Sequence, residues 1–133
     1  MIATASTQWT QARTCGDHLA GQLGVRITRS LLEAGVLDGD LAAFDAGEFD
    51  LALTDSGGEF LGRVGIRVPQ GPRPLAQPCM DCSERRSHLS GRLGAAVLHR
   101  ALKSEWVRRR PDGAVVVTDA GRRALRSRLG VEA

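Results

Sequence analysis

The chain states one pattern twice. His18-Leu19-Ala20-Gly21-Gln22-Leu23-Gly24 returns as His88-Leu89-Ser90-Gly91-Arg92-Leu93-Gly94, 70 positions later. Thr54-Asp55-Ser56-Gly57 returns as Thr118-Asp119-Ala120-Gly121, 64 positions later. The segment Leu61 to Ile66 is echoed by Leu125 to Val131. Two matching blocks in the same order, with the slack between them, imply one supersecondary unit used twice. The expected fold is therefore α+β, two tandem helix–β-hairpin–helix repeats packed as one pseudo-symmetric domain. Repeat 1 is expected over 7–66, a Pro-rich linker over 67–78 and repeat 2 over 79–131.

Local patterning supplies the elements. Gln8 to Arg13 reads as a first helix with Trp9 as an anchor. Asp17 is an N-cap candidate for a second helix, and it and Asp81 could instead each orient a histidine. Leu19, Leu23, Ile27 and Leu31 then recur every four residues, the stripe of a helix with one buried face. Ala34-Gly35 is a C-terminal signal. Val36-Leu37 and the alternating 48–54 segment read as strands, with Asp38-Gly39-Asp40 as a turn. Thr54 or Asp55 caps a short helix to Val64. Four of the five prolines fall between Pro69 and Pro78, which predicts extended backbone. In the second copy, Ser83 or Ser87 caps a helix that turns Leu89, Leu93, Val97, Ala101 and Leu102 inward. Trp106 to Arg110 and Ala114 to Thr118 are strands joined by Pro111-Asp112-Gly113. Asp119 caps a closing helix through Leu129.

At 133 residues, 42% hydrophobic and 25% charged, the chain suits one soluble domain. It shows no run of the ~18 apolar residues that a membrane span needs. It also shows no signal-peptide pattern. The expectation is a cytoplasmic protein without a membrane partner, in which the three cysteines are thiols or ligands and not disulfides. Charge is segregated. Residues 1–66 carry four Arg against nine acids, a net −5, and residues 67–133 carry thirteen Arg and Lys103 against six acids, a net +8. The basic half is either an anion-binding surface or the electrostatic partner of the acidic half, within the chain or across a dimer.

Leu19 to Val25 invites a helix-turn-helix reading. That motif would require apolar residues where Ser30 and Glu33 stand, and in the second copy where Arg100 and Lys103 stand. One continuous helix is the expectation in both copies, with Gly24 and Gly94 admitting a close neighbour at a helix cost of about 1 kcal/mol each. The stretch from Leu102 to Leu125 resembles the tail of winged-helix regulators: a helix, an Arg-bearing strand, a wing, then a helix opened by Thr-x-x-Gly. The expected repeats are in this sense winged-helix-like. Arg108, Arg109, Arg110, Arg122 and Arg123 are the candidate DNA-contacting residues, through phosphate or the minor groove. The alternative for them is an Arg-rich solvated surface.

Two longer blocks carry a more specific likeness. ARTCGDHLAGQLGV at 12–25 and PLAQPCMDCSERRSHLSG at 74–91 resemble blocks in the C-terminal half of one branch of the ArsR/SmtB-type transcriptional regulators. The resemblance runs over about residues 12–131. It implies the C-terminal regulatory region of such a repressor, the effector-sensing and dimerising portion, acting as a homodimer or with a partner regulator and touching DNA through the Arg-rich second repeat; the alternative is an interaction module that binds no DNA, or a stand-alone metal or thiol sensor. The family's N-terminal operator-reading domain has no counterpart here, which implies a fragment, a truncated product or a free-standing paralogue. Gly16 and Cys82 stand where the family has Tyr and Trp.

Cys15-x-x-His18, Cys79-x-x-Cys82 and His88 are five candidate metal ligands. Cys₂His₂ or Cys₃His is the donor set of tetrahedral zinc, and thiolates also suit a thiophilic metal or metalloid. A thiol redox switch and purely structural roles are the alternatives. No nucleophile–base spacing, phosphate loop or carboxylate pair points to catalysis, so the chain is expected not to be an enzyme.

Overall fold

Residues 5–47 and 51–133 are described in the computed structural model. The order is α1 (Ala5–Gln11), β1 (Arg13–Cys15), β2 (His18–Ala20), α2 (Gly21–Glu33), α3 (Leu41–Asp45), α4 (Asp55–Val64), β3 (Gln77–Met80), β4 (Ser87–Ser90), α5 (Gly91–Lys103), β5 (Val107–Arg109), β6 (Val115–Val117) and α6 (Asp119–Ala124), which runs into a π-helical turn at Leu125–Leu129. The strands form three two-stranded antiparallel hairpins, β1–β2, β3–β4 and β5–β6.

The class is mixed helix and strand, but the order of elements differs from the expected helix–hairpin–helix. A hairpin precedes each long helix. Asp17 does not cap a helix; Gly16-Asp17 is the two-residue turn between paired Cys15 and His18. Gly16 has φ +61, the sign required at the first position of a type II′ turn. Likewise Ser83 and Ser87 do not cap α5, since Ser87 pairs with Met80 in β3–β4. Leu19 and Leu89 are strand residues and extend the apolar stripe only by position. Both long helices start instead at glycines with positive φ, Gly21 at +74 and Gly91 at +79, after N-cap residues whose side chains make no capping bond. Partners distant in sequence satisfy the first amides: Asp81 Oδ2 accepts from Gly21, and the carbonyls of Pro74 and Leu75 accept from Arg92 and Leu93. The Pro-rich segment thus lies against the start of α5.

Gly24 and Gly94 lie inside continuous helices, so no turn breaks them. Both pack against the strand before their own helix and against the opposite half. A Cβ at Gly94 would lie 2.5 Å from the Leu89 carbonyl oxygen and 3.3 Å from His18 Cβ. A Cβ at Gly24 would collide with the Leu19 carbonyl and lie 3.5 Å from His88 Cβ.

The shorter helices share a cap. Thr54 and Thr118, not Asp55 or Asp119, are the N-cap residues; each hydroxyl oxygen accepts an amide three residues on, Gly57 or Gly121, at 2.9 Å. Each hydroxyl also donates at 2.6 Å, to the carbonyl of Gly35 or Glu105, tying the helix start to the end of the preceding long helix. The halves are interlaced. Arg100 on α5 donates to the Val64 carbonyl ending α4, while Ser30 on α2 donates to the Leu129 carbonyl ending the closing helix. One apolar cluster runs through both halves, with Leu23, Ile27, Leu31, Phe44, Leu93, Val97 and Leu125 among its members.

Of the predicted 48–54 strand, residues 48–50 lie outside the described residues. The remainder makes an isolated bridge, Leu37 to Leu53. Helix α3 is not among the elements expected from the sequence, although Asp40 caps it by accepting from the Ala43 amide at 2.7 Å. The β5–β6 hairpin forms as predicted around Gly113, but it is not a free wing. Thr14 donates its amide to the Gly113 carbonyl at 3.0 Å, and Val115 donates to Ala12 at 3.0 Å, so the turn is docked on β1.

Two glycine substitutions should separate packing from propensity. A methyl group added at Gly62 on α4 would meet open space, so Gly62→Ala should stabilise by up to about 1 kcal/mol in urea denaturation. Gly94→Ala gains the same propensity but meets backbone, and should destabilise by about 1–3 kcal/mol. A stabilised Gly94→Ala would contradict the close packing of α5 on the Leu89 backbone.

Candidate metal centre

The site grows out of the two hairpins. Cys15 pairs directly with His18 across β1–β2, and Cys79 pairs directly with His88 across β3–β4. Residues opposite each other in an antiparallel ladder project from the same face of the sheet. Each hairpin therefore presents one thiol and one imidazole together. The sequences reach this by different routes, a two-residue turn in the first hairpin and a six-residue loop, 81–86, in the second. The two faces meet at the seam between halves. Sγ of Cys15 and of Cys79 and one ring nitrogen from each of His18 and His88 all lie within 4.8 Å of one another. The histidines are buried and the two cysteines half-buried. Cys82, the fifth predicted ligand, does not join them. It is exposed in the 81–86 loop, where its Sγ accepts from Arg13 Nη2 at 3.4 Å.

Hydrogen bonds orient both rings. His88 Nδ1 is 2.9 Å from Asp81 Oδ2, and His18 Nδ1 is 3.2 Å from Asp17 Oδ1. The two Nε2 atoms face each other at 3.0 Å. Asp17 is held below the usual carboxylate range by its 2.6 Å bond from Arg73 Nη1. Burial alone would raise Asp81, but hydrogen bonds from Ser83 and Gly21 and the charge of Arg13 outweigh it and hold the carboxyl well below its ordinary value. An ionised carboxylate only accepts, so each Nδ1 carries its proton toward an aspartate and each Nε2 is left facing inward. Burial lowers His88 below the ordinary imidazole value despite the Asp81 contact, so this ring is neutral at neutral pH.

Arg13 and Asp81 brace the seam. Asp81 is fully buried and accepts from Arg13, Gly21, the Ser83 amide and hydroxyl, Glu84 and His88. Arg13 donates from Nη2 to Asp81 Oδ1 at 3.0 Å and from Nη1 to Ser83 Oγ at 3.0 Å and the Trp9 carbonyl at 3.2 Å. Its guanidinium lies 3.8 Å from the centre of the Trp9 ring. The two sides correspond. In each, an arginine holds an aspartate that holds a histidine: Arg13–Asp81–His88 and Arg73–Asp17–His18. Nothing in the sequence marks Arg13 and Asp81 as a pair. Asp17-His18 adjacent to a Gly-Asp turn was the available signal for the shorter relay.

Burial, and secondarily the nearness of Cys15, pushes the Cys79 thiol up to about 11.

None of the five predicted DNA-contacting arginines is among the four residues of this cluster. Arg108 faces Glu105 at 3.9 Å, Arg110 faces Asp112 at 3.7 Å and Arg122 faces Asp119 at 3.3 Å. Arg109 lines an open cleft with Asp17, Arg67 and His99. Arg123 is exposed on α6.

No protein-family model matches the chain, and no solved structure matches it. A curated protein of Bacillus subtilis (strain 168), the uncharacterized HTH-type transcriptional regulator YdfF, is 38% identical over 125 residues. The overlap takes in 91% of this chain and 52% of the relative, so the chain spans about half the length of the curated relative it matches. Among the described residues no helix is long and apolar enough to cross a membrane.

Removing Arg13 leaves a buried carboxylate without its cation. Arg13→Leu should cost about 3–5 kcal/mol of folding stability, the range for breaking a buried ion pair. Arg13→Lys should recover part of the loss, because the charge remains but the fork to Ser83 and Trp9 is lost. Chemical denaturation followed by Trp fluorescence measures both, and an unchanged Arg13→Leu would rule out the bracing role.

Proposed function

We propose that the chain is the signal-receiving and pairing portion of an ArsR-type transcriptional regulator, built from two tandem copies of one α+β unit, and that it is not an enzyme. The observation that carries the reading is the 38% identity to a protein named as an HTH-type transcriptional regulator. The duplication is supported by paired features: positive-φ glycines opening α2 and α5, close-packed Gly24 and Gly94, and the twin Thr54 and Thr118 caps. The signal is a zinc ion or another thiophilic metal or metalloid received by the cysteine–histidine cluster. Its binding would bias how the halves lie together, and with them the Arg-rich second half. The chain acts as a dimer or beside a partner regulator.

DNA contact by Arg109 and Arg123 is tested by fluorescence anisotropy of the full chain. The probes are a labelled duplex taken from upstream of its own reading frame and a scrambled duplex, each at several salt concentrations. Affinity should fall as salt rises, and each Arg→Ala variant should flatten the log–log slope by about one. Binding indifferent to salt would overturn the arginine assignment.

A second reading is a module that pairs with a complete regulator and leaves DNA to it. The docked turn of β5–β6 and the ion pairs of Arg108, Arg110 and Arg122 favour it. It expects no DNA binding at low salt together with self-association in sedimentation velocity.

A further inference from the structure

We infer that Cys15, His18, Cys79 and His88 form a closed N₂S₂ site for one divalent d¹⁰ cation of the zinc class, which staples the two hairpins together, with Cys82 outside the coordination sphere. This deepens the proposed reading of the cluster as the signal-receiving site and rests on it for what the ion would signal.

Three observations carry the choice of ion. First, the imidazoles are already aimed. With each Nδ1 facing an aspartate, the two Nε2 atoms meet 3.0 Å apart, where a shared proton holds them in the free protein and a cation would take its place. Imidazoles that ligate zinc through one nitrogen while giving the other N–H to a carboxylate are the usual arrangement.

Second, the dimensions suit a tetrahedron. Bonds of about 2.3 Å to sulfur and about 2.0–2.1 Å to nitrogen give ligand–ligand edges of roughly 3.3–3.8 Å. The four atoms span no more than 4.8 Å, so side-chain rotation of an ångström or so closes the shell.

Third, the charge balances. Arg13 offsets Asp81 and Arg73 offsets Asp17. Each cysteine releases its proton to solvent on binding, and two thiolates with two neutral imidazoles and a divalent cation sum to zero. A monovalent cation would leave a net negative charge in this buried seam. A trivalent metalloid that takes three thiolates finds two in the cluster, because Cys82 is turned to Arg13 at the surface.

Because each hairpin contributes one sulfur and one nitrogen, an ion bound here touches both halves equally. Each hairpin runs directly into a long helix, β2 into α2 and β4 into α5. The bound ion therefore fixes the relative placement of the two helix starts.

The test uses the full chain purified anaerobically. Elemental analysis should return one zinc per chain, and zinc-edge X-ray absorption should show two sulfur and two nitrogen scatterers. Replacement by cobalt should give the visible d–d bands of a tetrahedral ion and a near-ultraviolet thiolate-to-cobalt band. Cys82→Ser should keep stoichiometry and spectrum, whereas Cys79→Ser should lose the tetrahedral signature. Asp17→Asn, at an exposed position, should weaken cobalt affinity about 10–100-fold while retaining the spectrum. Because the absorption measurement is made on the unaltered protein, it stands even if Cys79→Ser fails to fold. Chains that hold no metal and give only the spectrum of hydrated octahedral cobalt would overturn the site. A three-sulfur shell that includes Cys82 would overturn the ligand set while leaving the signal-receiving reading intact. Conversely, an N₂S₂ ion whose removal by a chelator changes neither self-association nor DNA affinity would sink that reading and leave the site standing.

Discussion

The carboxylate of Asp81 is the group on which the arrangement depends. It is fully buried, and it comes from the loop between β3 and β4. One oxygen takes the charge of Arg13 from the other half and the donors of its own loop. The other takes the first amide of α2 and the Nδ1 proton of His88. A buried anion is costly unless its lone pairs are filled by donors. Here those donors come from β1, from the start of α2, from the 81–86 loop and from β4. Satisfying one charge therefore orders the loop, starts a helix, aims an imidazole and joins the two halves.

The same logic explains why the seam holds polar residues in a chain with an apolar core. Leu23, Ile27, Leu31, Leu93 and Val97 supply non-directional burial. Burial of this kind does not by itself choose how the two hairpins sit against each other. The paired Arg–Asp–His relays do, because each arginine reaches an aspartate of the opposite hairpin or its approach. Gly24 and Gly94 allow the approach by leaving room for His88 and His18 beside the helices.

Parts of this were legible in the residues alone. The identical spacing of His18 to Gly24 and His88 to Gly94 told of matching local structure, and the four-residue stripe located α2 and α5 to within a few positions. The Pro111-Asp112-Gly113 turn and the last hairpin followed from proline and glycine chemistry. Other parts were misjudged for identifiable reasons. Asp17 looks like an N-cap, yet Gly16-Asp17 is equally a two-residue hairpin turn, and strands as short as β1 and β2 give no periodicity to decide between them. Ser83 and Ser87 misled in the same way. Asp40 reads as a turn residue although it caps α3. Cys82 shares the C-x-x-C spacing with Cys79, but spacing does not say which side of a loop a thiol faces.

Residue types and their spacing determined that the chain would make helices with one apolar face, hairpins at its glycines, and a small set of soft donors in matched positions. These are consequences of short-range sterics and periodicity. Which donors meet was decided by tertiary structure. His18 and His88 are 70 residues apart, and Arg13 and Asp81 are 68 apart. Their meeting depends on how two interlaced halves share one core and one buried charge, and no local property of the chain encodes that.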